Sequence, residues 1–216
     1  MKKILFLFAH PDDEAFAAAG TIKRLTEEGN DVTIVSMCNG ARPGAEHVAA
    51  PRQLAFKKSC EMLGATGIIH NNSDMTMSYT DVVNFAVSVV NEIKPDTVFT
   101  NAPGDINVDH RNLAEGVLVA CRPKPDSAVR RLYVCEVVGS SDWKFGINAN
   151  DFQPNTFIDI SDYVDVKEAV IKLYNTEIYG YPDARSYEAA LVRATDRGCT
   201  VGRKAAEAFQ LVFNIQ

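Results

Sequence analysis

Short runs of nearly pure hydrocarbon alternate with longer stretches whose apolar residues recur every three or four positions. Ile4–Ala9 (ILFLFA), Asp31–Met37 (DVTIVSM), Gly67–His70 (GIIH) and Asp96–Thr100 (DTVFT) predict buried strands, while Glu14–Glu28, Pro51–Leu63 and Asp81–Ile93 have the length and spacing of helices. Gly29, Gly64 and Pro95 stand where those helices should stop. Strand, helix and strand repeated in this way imply right-handed crossovers. The expected fold is therefore α/β: a doubly wound, mainly parallel sheet with helices on both faces, in three layers. Further on, the pattern predicts helices over Leu113–Cys121, Val164–Tyr174 and Ser186–Arg197. Strands are expected over Leu132–Val138 and Thr156–Ile160, with a last one near Phe209–Phe213. No internal repeat, low-complexity tract or linker interrupts the chain, so residues 1–216 are expected to form a single domain.

In a Rossmann-like sheet of this kind the parallel strands all end at one edge, the edge where such folds bind ligands. The unusual polar residues collect there. His10 ends the first strand, CNGARPG (Cys38–Gly44) follows the second, His70 ends the third, and NAPGDINVDH (Asn101–His110) follows the fourth.

Composition removes several classes of function. With 216 residues, 46% of them hydrophobic, the chain can bury a sizeable core. A formal net charge of −6 with scattered Lys and Arg leaves no electrostatic footprint for nucleic acid or an anionic membrane. Lys2 and Lys3 before Ile4–Ala9 imitate the opening of a signal peptide, but the apolar run is too short and ends in charge. No apolar run approaches the roughly 20 residues needed to cross a bilayer, so a cytoplasmic location without stable membrane insertion is expected. The five cysteines (Cys38, Cys60, Cys121, Cys135, Cys199) are odd in number and contain no CxxC, which disfavours a disulfide framework and a thiolate zinc site. They read as small buried residues.

The stretch AHPDDE (Ala9–Glu14) admits two readings. In the plainer one, Pro11 and the following carboxylates simply open a helix, since proline suits a first helical position and acidic residues complement the helix dipole. In the other, His10 is held extended by the proline after it, Asp13 turns back toward the same point, and both bind one metal ion. Asp109 and His110 begin a helix at the same rim. His10, Asp13 and His110 would form a two-histidine, one-carboxylate set with positions left open, the pattern of a catalytic rather than structural zinc, and leave Asp12 free. Iron or another divalent ion also fits that set.

AHPDDE after the first strand, paired with the Asp-His of GDINVDHR after the fourth, resembles the PIG-L/LmbE-like family of zinc-dependent N-deacetylases. CNGARPG followed by Arg52, NNSD (Asn71–Asp74) and RGCTVGRKAAEAF (Arg197–Phe209) are similar to further stretches of that family. ACRP, SSDW, KEAV and ARSYEA resemble a bacterial subgroup of it. The resemblance implies zinc on His10, Asp13 and His110, Asp12 as general base, and Asp109 orienting or tuning the site from beside His110. It also implies an acetamidosugar substrate of the N-acetylglucosamine type. Zinc polarises an amide carbonyl and lowers the pKa of bound water toward about 7, and Asp12 can take the water's proton and later protonate the departing amine.

This chain departs from the family pattern in places. Asn107 stands where many members carry a histidine thought to steady the oxyanion, and the loss of one such donor typically costs about 10²–10³ in rate. The subgroup's histidines near Asn101, Ala102 and Asp183 are missing, and Ala55 replaces a frequent glutamate. His47 or His70 is the first place to look for compensation.

Arg42, Arg52, Arg111 and Arg122 lie near the rim and suit a phosphate-bearing substrate or plain surface solvation, with Arg52 the favoured substrate-binding candidate. Trp143, the only tryptophan, can stack on a sugar ring or cover the core. No GxGxxG, Walker-type loop or GxSxG is present at the rim. The expected function is zinc-dependent N-deacetylation of a sugar or glycoconjugate, by a chain that can form a homo-oligomer. The alternative is a weakly active or inactive protein that binds a carbohydrate or nucleotide sugar, and hydrolysis of another amide also fits.

Overall fold

The computed structural model describes residues 1–145 and 152–216. Gly146, which ends the SSDWKFG loop, lies outside them.

The strands are β1 (Lys3–Phe8), β2 (Asp31–Cys38), β3 (Thr66–Asn72), β4 (Thr97–Asn101), β5 (Arg131–Cys135), β6 (Thr156–Asp159) and β7 (Ala206–Asn214). The helices are α1 (Asp13–Glu27), α2 (Ala49–Leu63), α3 (Tyr79–Ile93), α4 (Val108–Ala120), α5 (Val164–Leu173) and α6 (Tyr187–Thr200). The strands form one sheet in the order β3-β2-β1-β4-β5-β7-β6, parallel from β3 to β5, with β7 antiparallel to both of its neighbours. The expected α/β sheet is thus present, with one reversed strand inside it.

Alternation along β1 builds two cores at once. Ile4, Phe6 and Phe8 face one side, packed with residues of α1, α2, α5 and α6 such as Phe16, Phe56, Val170 and Ala190. Leu5, Leu7 and Ala9 face the other side, packed with α3 and α4 through Val82, Ala86, Leu113 and Val117. Phe6 stacks on Phe99 at 4.4 Å between ring centroids, and Phe99 stacks on Tyr133 at 4.7 Å. These rings tie β1, β4 and β5 together. Helix α1 packs closely against the segment after β6: a Cβ on Gly20 would stand 2.8 Å from Ile160.

Several boundaries differ from the sequence expectation by a few residues, and two of the differences have clear local causes. Helix α4 starts at Val108, so Asp109 and His110 do stand in a first helical turn and the helix reaches further back than Leu113, because the Asn107 side chain accepts a hydrogen bond from the Asp109 N–H at 2.8 Å and caps it. Strand β5 ends at Cys135 instead of Val138, where Val137 N–H donates to Ser141 Oγ at 2.9 Å and Gly139 N–H to Asp142 Oδ2 at 3.0 Å. These side chains replace the ladder with a turn.

Strand order reverses at β1, which has β2 on one side and β4 on the other. The crevice at the C-terminal ends of β1, β2 and β4 is the topological switch point of the sheet. His10, the loop after Cys38 and the loop after Asn101 all open there. No helix among the described residues is long and apolar enough to cross a membrane.

Candidate metal centre and active site

The AHPDDE segment does not behave as an ordinary helix start. Asp12 occupies the N-cap position of α1 with φ 141°, and its side chain caps nothing. A non-glycine residue in that region of backbone space is strained, and such strain collects at functional sites. The backbone is held from below: Asp12 N–H donates to Glu14 Oε2 at 3.2 Å, and Glu14 in turn accepts from Ser59 at 2.7 Å and from the Tyr174 hydroxyl. Burial pushes the Glu14 carboxyl up to about 7 against those donors.

His10 from the loop after β1, Asp13 from the first residue of α1 and His110 from the first turn of α4 come together, and all three are buried. His10 Nδ1 and His110 Nε2 face each other at 3.1 Å, and His110 Nε2 lies 3.3 Å from Asp13 Oδ1. Asn101 at the end of β4 fixes Asp13, donating from Nδ2 to Asp13 Oδ2 at 3.0 Å while its own Oδ1 accepts from Ala9 N–H at 3.0 Å.

Each histidine also has its own carboxylate on the outer side. Asp109 Oδ2 lies 3.0 Å from His10 Nε2, and Asp105 Oδ2 lies 3.1 Å from His110 Nδ1, though outside hydrogen-bonding angle. Asp105 is itself held by the Ser140 and Ser141 hydroxyls, the latter at 2.7 Å. Asp109, expected to orient or tune the site from beside His110, sets its carboxylate against the other histidine, His10. The carboxylate beside His110 is Asp105, two residues before Asn107 in the same motif. Outward-facing nitrogens held by carboxylates are the usual support of metal-binding histidines. The donor set therefore suits a divalent ion such as zinc.

Electrostatics agree with the packing. Burial alone would lower the His110 pKa, yet Asp13 and Asp105 outweigh it and raise it to about 10 in the metal-free protein. Asp13 moves in the complementary direction: burial would raise it, but His110, His10 and Asn101 hold it below the ordinary carboxylate range. Asp105 and Asp109 are likewise held low against burial, Asp105 by His110 and Asp109 by His10.

Asp12 lines a cavity of about 300 Å³ that His10, Asp13 and His110 line as well. Its two oxygens meet two guanidinium groups, Arg185 Nη2 at 2.8 Å and Arg52 Nη2 at 3.4 Å. Arg185 rests on the Phe16 ring at 4.4 Å and donates from Nε to the Glu177 carbonyl at 3.3 Å. Gly139, at φ 86°, leaves room for it, because a Cβ there would collide with Arg185 Cγ. Arg52 is buried and also contacts Asp74 Oδ2 at 3.1 Å, the Gly40 carbonyl at 3.2 Å and Glu177 Oε1 at 3.5 Å. Arg42 pairs with the other oxygen of Glu177. Met75, Ile106, Trp143 and Tyr179 form a half-exposed apolar mouth.

The sequence candidates thus divide. His10, Asp12, Asp13, Arg42, Arg52, Asn107, His110 and Trp143 all line the cavity, and Trp143 sits at its mouth rather than over the core. Asn107 spends its carbonyl on the helix cap and keeps its amide nitrogen for the cavity. His47 and His70 do not line it; His70 packs edge-on against Phe85. Arg111 donates to the carbonyls of Asp105 and Ile106 and so braces the loop. Glu177 and Arg185, which sequence reasoning missed, lie in an irregular stretch between α5 and α6 with no periodicity to mark them. Of the cysteines, Cys38, Cys60, Cys121 and Cys135 are buried as expected, Cys199 is exposed, and the Cys38 sulfur lies near His10 and Asp74.

Comparison with known proteins agrees with this arrangement. The chain is 27% identical over 201 residues to diacetylchitobiose deacetylase of Thermococcus kodakarensis, spanning 82% of this chain and 70% of that one. It is 24% identical over 190 residues to a probable N-acetyl-alpha-D-glucosaminyl L-malate deacetylase 2 of Bacillus cereus, spanning 82% and 84%. Among solved structures, N,N'-diacetylchitobiose deacetylase from Pyrococcus horikoshii superposes with TM-score 0.79 at 22% identity, over 98% of this chain and 84% of that one. The 4-carboxy-2-hydroxymuconate hydratase from Pseudomonas putida superposes with TM-score 0.80 at 21% identity, over 100% and 98%. A deacetylase and a hydratase share this fold, so the fold does not select the reaction. Sequence goes further: residues 5–121, more than half of the chain and the whole of the His10, Asp13 and His110 cluster, match the family described as PIG-L: GlcNAc-PI de-N-acetylase, and the chain belongs to that family.

Proposed function

We propose that this chain is a metal-dependent hydrolase that removes the acetyl group from the nitrogen of an N-acetylglucosamine-type sugar or glycoconjugate. The observation that carries the reading is the convergence of His10, Asp13 and His110, with Asp109 and Asp105 behind the two imidazoles. The names of the relatives, a diacetylchitobiose deacetylase and an N-acetylglucosaminyl malate deacetylase, support the substrate class.

Zinc or a similar divalent ion on those three residues would supply Lewis acidity toward the amide carbonyl and acidify water. The remaining work falls to this chain's own groups. Asp12 takes a proton from the attacking water, the C–N bond breaks, and the same proton passes to the departing nitrogen, leaving acetate and a free amino sugar. Arg185 and Arg52 aim the Asp12 carboxylate. The Asn107 amide nitrogen is the available neutral donor for the oxyanion. Arg52 with Asp74 offers a fixed donor and acceptor pair to sugar hydroxyls, and Trp143 a face for the ring.

The test is acetate release from a panel of acetamidosugars, with and without chelator, on metal-loaded protein. Chelator-sensitive release supports the reading. A metal-loaded protein that releases none from any of them counts against it. The substitution of Asn107 for an imidazole favours a second reading, a sugar-binding protein with little turnover. Saturable sugar binding without acetate would select that one.

A further inference from the structure

His10 has two sides. Its Nδ1 faces His110 and Asp13, while Nε2 faces Asp109 at 3.0 Å and Asp74 Oδ2 at 4.0 Å. On that second side, one ring nitrogen of His10, the Cys38 sulfur and one Asp74 oxygen lie within 4.8 Å of one another, and all three residues are buried.

Two local features put them there. The pairing of β2 with β3 slips between Ser36 and Cys38, so the strand end is re-aimed, and Cys38 N–H bonds to the Ala9 carbonyl at 2.9 Å, directly before His10. Asp74 is 5% exposed; its Oδ2, which lies 4.0 Å from His10 Nε2, also meets Arg52, while its Oδ1 has no hydrogen-bond partner among the described residues. A buried carboxylate oxygen left unpaired is costly unless something else satisfies it. The Cys38 sulfur has only a weak contact of its own, to the Ser73 carbonyl at 3.7 Å. Histidine, thiolate and carboxylate together are a donor set for zinc or another thiophilic divalent ion.

We propose that His10, Cys38 and Asp74 form a second metal site that opposes the first. The proposal rests on the reading of His10, Asp13 and His110 as the metal centre and adds an inhibitory site beside it. An ion bound there takes His10 Nε2 away from Asp109, the bond that orients the imidazole toward the first site, and crowds Arg52 next to Asp12. Occupying it displaces two protons to solvent, one from the Cys38 thiol and one from His10 Nε2, so that the imidazole bridges the two ions, and it involves no redox change. Excess zinc should therefore inhibit.

The experiment is titration of chelator-stripped, full-length protein with Co²⁺, followed by absorption, in the wild type and in Cys38→Ser, Cys38→Ala and Asp74→Asn. A first equivalent without sulfur ligation, and then an intense near-ultraviolet sulfur-to-cobalt band as more is added, is the expected result. The band should vanish in both Cys38 variants and weaken in Asp74→Asn. In parallel, zinc beyond the first equivalent should suppress turnover in the wild type, and the Cys38 variants should need at least about 10-fold more zinc, the lower range for losing even an outer partner of a metal site. Cobalt binding at one equivalent with no sulfur band at any excess, or a band that survives Cys38→Ala, overturns the second site and leaves the first intact. Failure to bind cobalt at all overturns both.

Discussion

Arg185 Nη2 lies 2.8 Å from Asp12 Oδ2, a contact that spans 173 positions of the chain and ends on the residue with the most unusual backbone of the AHPDDE segment. Together with Arg52 it holds the Asp12 carboxylate in the cavity that the metal-type cluster also lines.

Asp12→Asn should therefore fold and hold metal like the wild type while kcat for acetate release falls by about 10²–10⁴, the usual range for loss of a general acid–base. Elemental analysis and steady-state assays on the same preparation check both halves. Full activity in this variant would remove Asp12 from the mechanism.

Arg185→Ala takes away a charged hydrogen bond worth about 1.5–3 kcal/mol, so kcat should drop roughly 10–100-fold with metal content unchanged, and Arg185→Lys should recover part of it. Gly139→Val offers a remote check, since its side chain would occupy the space of Arg185 Cγ. Reduced kcat with normal metal content is expected there as well. If both variants leave kcat untouched, Arg185 only closes the loop between α5 and α6.

Asp105→Ala and Asp109→Ala should each weaken zinc binding about 10–100-fold, because each carboxylate stands behind one imidazole. Competition against a zinc-binding dye measures the loss. His110→Ala and Asp13→Ala should abolish stoichiometric binding outright. Unchanged affinity in the first pair would mean that the imidazoles are held by packing alone.

Metal uptake should strengthen as pH rises. His110 is raised to about 10 in the metal-free protein, so below that pH an entering ion must expel its proton. Zinc affinity measured between about pH 6 and 8 should climb about tenfold per pH unit from this group alone. The same shift gives the metal-free fold a stabilising contribution. It is fully present below the ordinary histidine value of 6.5 and is lost as pH rises through about 10. Thermal melts of apo wild type and His110→Ala should converge at the alkaline end.

Much of this molecule was legible in the chain. Unbroken hydrocarbon in ILFLFA, followed by helix-spaced segments, specified the parallel sheet, because a strand buried on both faces has no other composition open to it. The two motifs at matching strand ends then located His10, Asp13 and His110, since topology brings every parallel strand end to one rim. The DINVDH motif also contained Asp105, but spacing does not say which carboxylate will face which imidazole. The helix cap made by Asn107 decides that, by fixing where α4 begins. Arg185 and Glu177 come from an irregular loop with no repeating pattern, and only the packing of that loop over Phe16 and Arg52 brings them to Asp12. Cys38 is buried with the core, as its neighbours in β2 predict. That its sulfur also lies near His10 and Asp74 is a property of several strand ends and not of one, so no single segment of sequence shows it.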